Sequence, residues 1–125
     1  MAQFPGRGFI WHELMTTNTE NAATFYQEVA GLTTAPGPYQ MMMAGDQSVG
    51  GLVGPRAEGP GWPSGGPEAH WIAYIAVDDV DAAARKASEL GGQVLLPPVD
   101  IPGFGRAAVL RDPQGAAVGI FTPTT

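Results

Sequence analysis

The chain opens on an apolar run, FIWHELMT (9–16), whose aromatic and aliphatic side chains suit a pleated, half-buried strand. Thr17 and Glu20 follow at capping-box spacing. Ala22, Ala23, Phe25, Tyr26, Val29 and Ala30 then recur at helical spacing until Gly31 stops the pattern. Short apolar segments near 32–35, 39–44 and 47–53 predict three strands, separated by Pro36-Gly37-Pro38 and Gly45-Asp46. The second half repeats the order. HWIAYIAV (70–77) predicts a strand, and a helix follows with Asp78 or Asp79 as N-cap and Gly91-Gly92 as stop. Strands are then expected at 93–97, 106–111 and 116–122, the last two joined by an Asp112-Pro113-Gln114-Gly115 turn.

Between the halves, GPRAEGPGWPSGGPEA (54–69) holds nine Gly or Pro among sixteen residues and reads as a linker. One domain is therefore expected over 1–125, with a first module at 8–54, a linker at 55–69 and a second module at 70–123. The halves also align with each other. An offset of 61 superposes Leu14 on Ile75, Ala23 on Ala84 and Gly31 on Gly92. An offset of 68 superposes SVGGLVGP (48–55) on AAVGIFTP (116–123).

Composition narrows the class. Hydrophobic residues make up 44% of the 125 and charged residues 14%, which favours a folded globule over disorder. A net charge of −6 with six basic residues lacks the footprint of a nucleic-acid binder. No apolar run approaches the roughly 18 residues of a membrane span, and MAQFPGRGF has no apolar signal region. There are no cysteines, so disulfides, thiolate ligands and cysteine nucleophiles are excluded. The default location is cytoplasmic.

Three segments carry a family resemblance: WHELMTTNTENAATFYQEVAGL, YIAVDDVDAAARKASELGG and GRAAVLRDPQGAAVGIF. Together they resemble the vicinal-oxygen-chelate superfamily of glyoxalases, bleomycin-resistance proteins and dioxygenases. The resemblance implies an α+β fold of two tandem βαβββ modules. Their strands would form a cup-shaped, largely antiparallel eight-stranded sheet with helices outside. The concave face would bind a small molecule, and a homodimer is expected. Metal-dependent members take ligands from the first and last strand of each half. Counting from the helix start and the Asp-Pro-x-Gly turn, and applying the two offsets, these positions are Trp11, Gly51, Ile72 and Gly119. No side chain among them can coordinate a metal, so no cofactor is expected. A one-residue slip would reverse every face and put His12 in the cup. In that alternative His12, Glu13 and His70 would cooperate on a divalent metal.

With this register, Phe9, Trp11, Glu13 and Met15 point into the cup, as do His70, Ile72, Tyr74 and Ala76, and Ala117, Gly119 and Phe121. Met41 and Met43 share one face and Met42 takes the other, with the inward face left open. Gly51 and Gly119 would leave room where a metal shell normally sits. The lining suits a flat apolar or aromatic molecule. Glu13 is the candidate general acid/base, because desolvation of a carboxylate raises its pKa toward the useful range. Tyr74, at the repeat-equivalent position, would donate a hydrogen bond to a substrate oxygen. The bland alternative pairs Glu13 with Arg106, Tyr74 or a backbone amide. PPVDIPGFG (97–105) reads as an ordinary connection or as a loop that closes over the cup with Phe104 as a lid side chain, and Trp62 is a lid or interface anchor or a plug for a surface groove. Three functions stay open: a metal-independent enzyme using Glu13, a drug- or metabolite-sequestering protein, and a divalent-metal lyase or dioxygenase.

Overall fold

The computed structural model describes residues 7–37, 39–54 and 69–124; the Gly/Pro-rich linker with Trp62 lies outside them. Among the described residues there are eight strands and two helices, in the order βαβββ twice. They are β1 (Phe9–Met15), α1 (Thr19–Ala30), β2 (Thr33–Ala35), β3 (Gln40–Ala44) and β4 (Gln47–Val53), then β5 (His70–Ala76), α2 (Val80–Glu89), β6 (Gln93–Ile101), β7 (Gly105–Arg111) and β8 (Ala117–Pro123). The described residues fall into two compact units, 11–54 with 69–71, and 7–10 with 72–124. The α+β class and the doubled βαβββ order are as the sequence implied.

In the first unit the strand order is β2-β3-β4-β1. The β2–β3 and β3–β4 pairs are antiparallel and β1–β4 is parallel. The cap of α1 is Asn18, not Thr17. Asn18 has extended backbone and its side chain accepts from the Asn21 N–H at 2.9 Å. The residue in reach of the cap is therefore Asn21, and Glu20 falls one place short of the box position. Gly31 ends the helix at φ 73°, a left-handed conformation that is strained for residues with a side chain. Leu14, Met42 and Leu52 form the core against Ala22, Ala23 and Tyr26 of α1.

In the second unit the order is β6-β7-β8-β5, with β5–β8 parallel and the other pairs antiparallel. Asp79 caps α2 by accepting from the Ala82 N–H at 3.1 Å. Val80 and Ala84 pack on Ala108, Leu110 and Ile120. Asp112 Oδ1 accepts from the Gln114 and Ala116 amides, both at 2.9 Å, and fixes the β7–β8 turn.

One expected loop is mostly strand. β6 runs on through Pro97-Pro98 to Ile101, with two register shifts on the way. Proline is tolerated there because β6 is the outer strand of its unit and bulges relieve the missing N–H donors. Only Pro102–Phe104 turn the chain, closed by the Phe104 N–H on the Ile101 carbonyl at 2.9 Å. The long lid over 97–105 is thus replaced by a tight hairpin.

Candidate functional site

Strand alternation settles the faces in the first unit. Leu14 and Met42 belong to the helix-side core, so Trp11, Glu13 and Met15 occupy the opposite face of β1. The β-bulge between Met42 and Met43 places Val49 in that same helix-side core. Met41 and Met43 therefore lie on the face of Glu13. His12 takes the helix-side parity and is exposed. Trp11 and Met15 are buried, while Glu13, Met41, Met43 and His70 are half-buried.

Glu13 has a partner that the sequence reading missed. Tyr39, immediately before β3, donates its hydroxyl to Glu13 Oε2 at 2.5 Å. The Trp11 indole N–H donates to the same Tyr39 oxygen at 3.1 Å. Trp11 and Glu13 are two residues apart on one strand face, so a single phenol bridges consecutive inward side chains of β1. Burial first, and then the Glu13 charge and hydrogen bond, push the Tyr39 phenol far above the usual tyrosine value of 10.0. The Trp11 bond pulls weakly the other way. Tyr39 therefore stays a neutral donor at any physiological pH. A phenol donating to a carboxylate makes a charge-assisted bond and favours the ionised acceptor. Pure apolar desolvation, the environment expected for Glu13, does not describe this site.

The glycines differ from expectation too. Glu13 pairs with Gly51 across β1–β4. A Cβ on Gly51 would overlap the Tyr39 hydroxyl and ring carbons. In the second unit Tyr74 pairs with Gly119 across β5–β8, and a Cβ on Gly119 would overlap the Tyr74 ring. Neither glycine leaves open space, because a tyrosine fills it in each case. The registers reproduce both offsets, since Glu13 and Tyr74 differ by 61 and Gly51 and Gly119 by 68.

The remaining candidates in the second unit are Ile72 (1% exposed), Tyr74 and Phe121, all buried on the face away from α2, and Phe104, half-buried in the hairpin turn. The guanidinium of Arg106, one partner considered for Glu13, grips Asp81 of α2 at 2.8 and 3.1 Å and Asp100 at 2.9 Å. These bonds hold the Asp81 carboxyl below its usual value, the hydrogen bonds from Arg106 contributing most.

The four positions that the family resemblance implies for metal ligands carry Trp11, Gly51, Ile72 and Gly119. An indole, an aliphatic side chain and two glycines make no donor set for a divalent cation, and tyrosines cover both glycines. Among the described residues no cluster of three or more His, Asp or Glu could hold a metal ion. The residues present do not fit the metal centre that the family resemblance would imply.

Comparison with known proteins agrees with this fold. The family model "Glyoxalase/Bleomycin resistance protein/Dioxygenase superfamily" matches residues 8–120, and the chain belongs to that superfamily. It is 46% identical over 120 residues to "Putative glyoxylase CFP32" of Mycobacterium tuberculosis, across 91% of this chain and 43% of that protein. It is 29% identical over 134 residues to "Anthracycline biosynthesis protein DnrV" of Streptomyces peucetius, across 97% of this chain and 49% of that one. The chain thus spans about half the length of these curated relatives. Among solved structures, a variant of Streptomyces coelicolor methylmalonyl-CoA epimerase in complex with 2-nitronate-propionyl-CoA matches with a TM-score of 0.64 at 18% identity, over 97% of this chain and 100% of that one. At that identity the likeness concerns the fold alone.

Proposed function

We propose that the chain is a metal-independent enzyme acting on a small, flat, apolar or aromatic molecule, with Glu13 as the group that takes up or returns a proton. The observation that carries this reading is the carboxylate itself. Glu13 is half-buried beside the apolar Trp11 and Met15 and is hydrogen-bonded by a half-buried phenol that stays neutral at physiological pH. A carboxylate oriented in advance in a partly desolvated site is what general base work needs. Tyr74 is read as the hydrogen-bond donor to a substrate oxygen, and the other apolar residues of the two faces as substrate contacts. The anthracycline-biosynthesis name of the Streptomyces relative supports a polyketide-like aromatic substrate. The glyoxylase name of the mycobacterial relative supports small-molecule lyase chemistry instead, and the four positions implied for metal ligands, Trp11, Gly51, Ile72 and Gly119, weigh against a metal-dependent version. The resemblance to dimeric members leads us to expect a homodimer.

The test uses hydrogen–deuterium exchange into aromatic ketones with an enolisable C–H, α-tetralone and anthrone among them, in heavy water with a chelator present. A base at Glu13 removes the proton from carbon, leaves the electron pair in the enolate, and returns deuterium from solvent. Exchange should be at least about tenfold faster with the wild type than with Glu13→Gln, a deletion of roughly 1.4 kcal/mol or more of transition-state stabilisation. Loss of exchange on chelation would contradict the metal-free reading. Tight binding of a panel member without exchange would favour sequestration.

A further inference from the structure

We propose that Tyr39 is the positioning residue of the Glu13 site and that position 51 is glycine in order to seat it. This rests on the reading of Glu13 as the working carboxylate. Position 51 carries no side chain, and the Tyr39 hydroxyl stands where its Cβ would be. The phenol is delivered from outside the strand, one residue ahead of β3, yet it occupies the place of a β4 side chain.

The hydrogen-bond count makes this more than packing. A phenol has one proton and accepts through its oxygen. The Trp11 N–H already points at that oxygen, so the proton of Tyr39 goes to Glu13 Oε2. Donor, relay and acceptor are thereby ordered in one direction, Trp11 to Tyr39 to Glu13, and each bond polarises the next. A free glutamate samples several rotamers, and tying one carboxylate oxygen to a fixed ring removes much of that freedom before a substrate arrives. The fixed ring is held in turn by Gly51, which lies between Glu13 on one side and Met41 on the other in the strand register. Any side chain at 51 would displace the ring and break the chain of bonds.

The other titratable groups among the described residues of this unit lie as follows. Glu20 and Glu28 are exposed on α1, Tyr26 packs in the helix-side core, Asp46 is exposed in the β3–β4 turn, and His12 is exposed on the opposite parity. His70, at the head of β5, has the parity of Ile72 and Tyr74 and is half-buried.

The test compares wild type, Tyr39→Phe and Gly51→Ala by NMR of the Trp11 indole N–H and of the Glu13 side-chain carboxyl carbon, assigned with Trp11→Phe and Glu13→Gln. Tyr39→Phe keeps the ring on Gly51 and removes only the hydroxyl. It should shift the Trp11 indole resonance and raise the pH at which Glu13 takes up its proton by about one unit, roughly tenfold in proton affinity. Gly51→Ala should reproduce both changes with every hydroxyl still present. An unchanged Glu13 titration in folded Tyr39→Phe would overturn the proposal and reduce Tyr39 to packing. An unchanged spectrum in Gly51→Ala would overturn the role of Gly51. Should either variant fail to fold, the phenol is read by ultraviolet titration of wild type against Glu13→Gln. The Tyr39 phenol should ionise at lower pH in Glu13→Gln, and identical curves would overturn the proposal. These readouts need no substrate. Failed ketone exchange with intact NMR shifts would sink the proposed activity and leave the positioning standing, and the reverse result would do the opposite.

Discussion

The two modules share a backbone plan and differ in what they mount on it. Both begin with a strand, cap a helix with an Asx side chain, and pair the first strand in parallel with the last. Both put a glycine on the last strand, directly beside the residue that carries the inward polar group. In the second module that residue is Tyr74, whose own ring covers the neighbouring Gly119. In the first it is Glu13, too thin to cover Gly51, and Tyr39 is brought in from outside to do so. The second module closes its corner with one residue, and the first uses two and gains a hydrogen-bonded carboxylate. A repeat can therefore keep its packing and mount a hydrogen-bonded carboxylate in one half where the other has a tyrosine.

That contrast predicts unequal costs for the same mutation. Gly119→Ala should be the more damaging, because the overlap there reaches Cγ at the root of the Tyr74 ring, whereas at Gly51 it meets the far end of Tyr39. A loss of roughly 3 kcal/mol is expected, at the upper end for overpacking. Gly51→Ala should cost about 1–2 kcal/mol, since Tyr39 precedes its strand and can move aside. Denaturant unfolding of both variants checks the order, and equal losses would mean that the two tyrosines are held alike. The caps should instead be equivalent. Asn18→Ala and Asp79→Ala should each cost about 1 kcal/mol. A large difference between them would show that the helices are not interchangeable parts of the repeat.

The ionisable groups separate the modules again. The folded value of Tyr39 is raised, so its contribution is complete below the ordinary 10.0 and is lost as pH rises toward the folded value. Between those limits wild-type stability should fall by up to about 1.4 kcal/mol per pH unit relative to Tyr39→Phe. The folded value of Asp81 is lowered, so its contribution is complete above the ordinary 3.8 and is lost as pH falls through the depressed value. The Arg106–Asp81 pair is solvent-facing, so Asp81→Asn should lower the melting temperature only slightly at neutral pH and not at all in strong acid. This is the smallest expected effect.

Much of the fold could be read before the structure because both of its signals are local. Alternating strands and capped helices gave the element order, and the two offsets agree with the registers, in which Glu13–Gly51 and Tyr74–Gly119 are equivalent pairs. The parity of Trp11, Glu13 and Met15 followed from the same alternation. Three features were not legible for physical reasons. The length of β6 was hidden by Pro97-Pro98, which read as a loop unless the strand is known to lie at the outside of its unit. The cap of α1 moved from Thr17 to Asn18 because neighbouring capping residues compete within one turn. Tyr39 was missed because it lies outside the periodic strand pattern, directly after Pro36-Gly37-Pro38. Its only sequence signal was indirect: an unexplained glycine at 51, which can mark a backbone approached closely by something else. Reading Gly51 as vacant space was the natural error, and the overlap of a hypothetical Cβ with Tyr39 corrects it.

The central claim is that Glu13 is a working carboxylate held by Tyr39, and the most direct measurement is the carboxyl-carbon titration of Glu13 in wild type and Tyr39→Phe. The account predicts that Glu13 protonates at a higher pH, by about one unit, once the phenol oxygen is gone. Superimposable titrations in two folded proteins would contradict it.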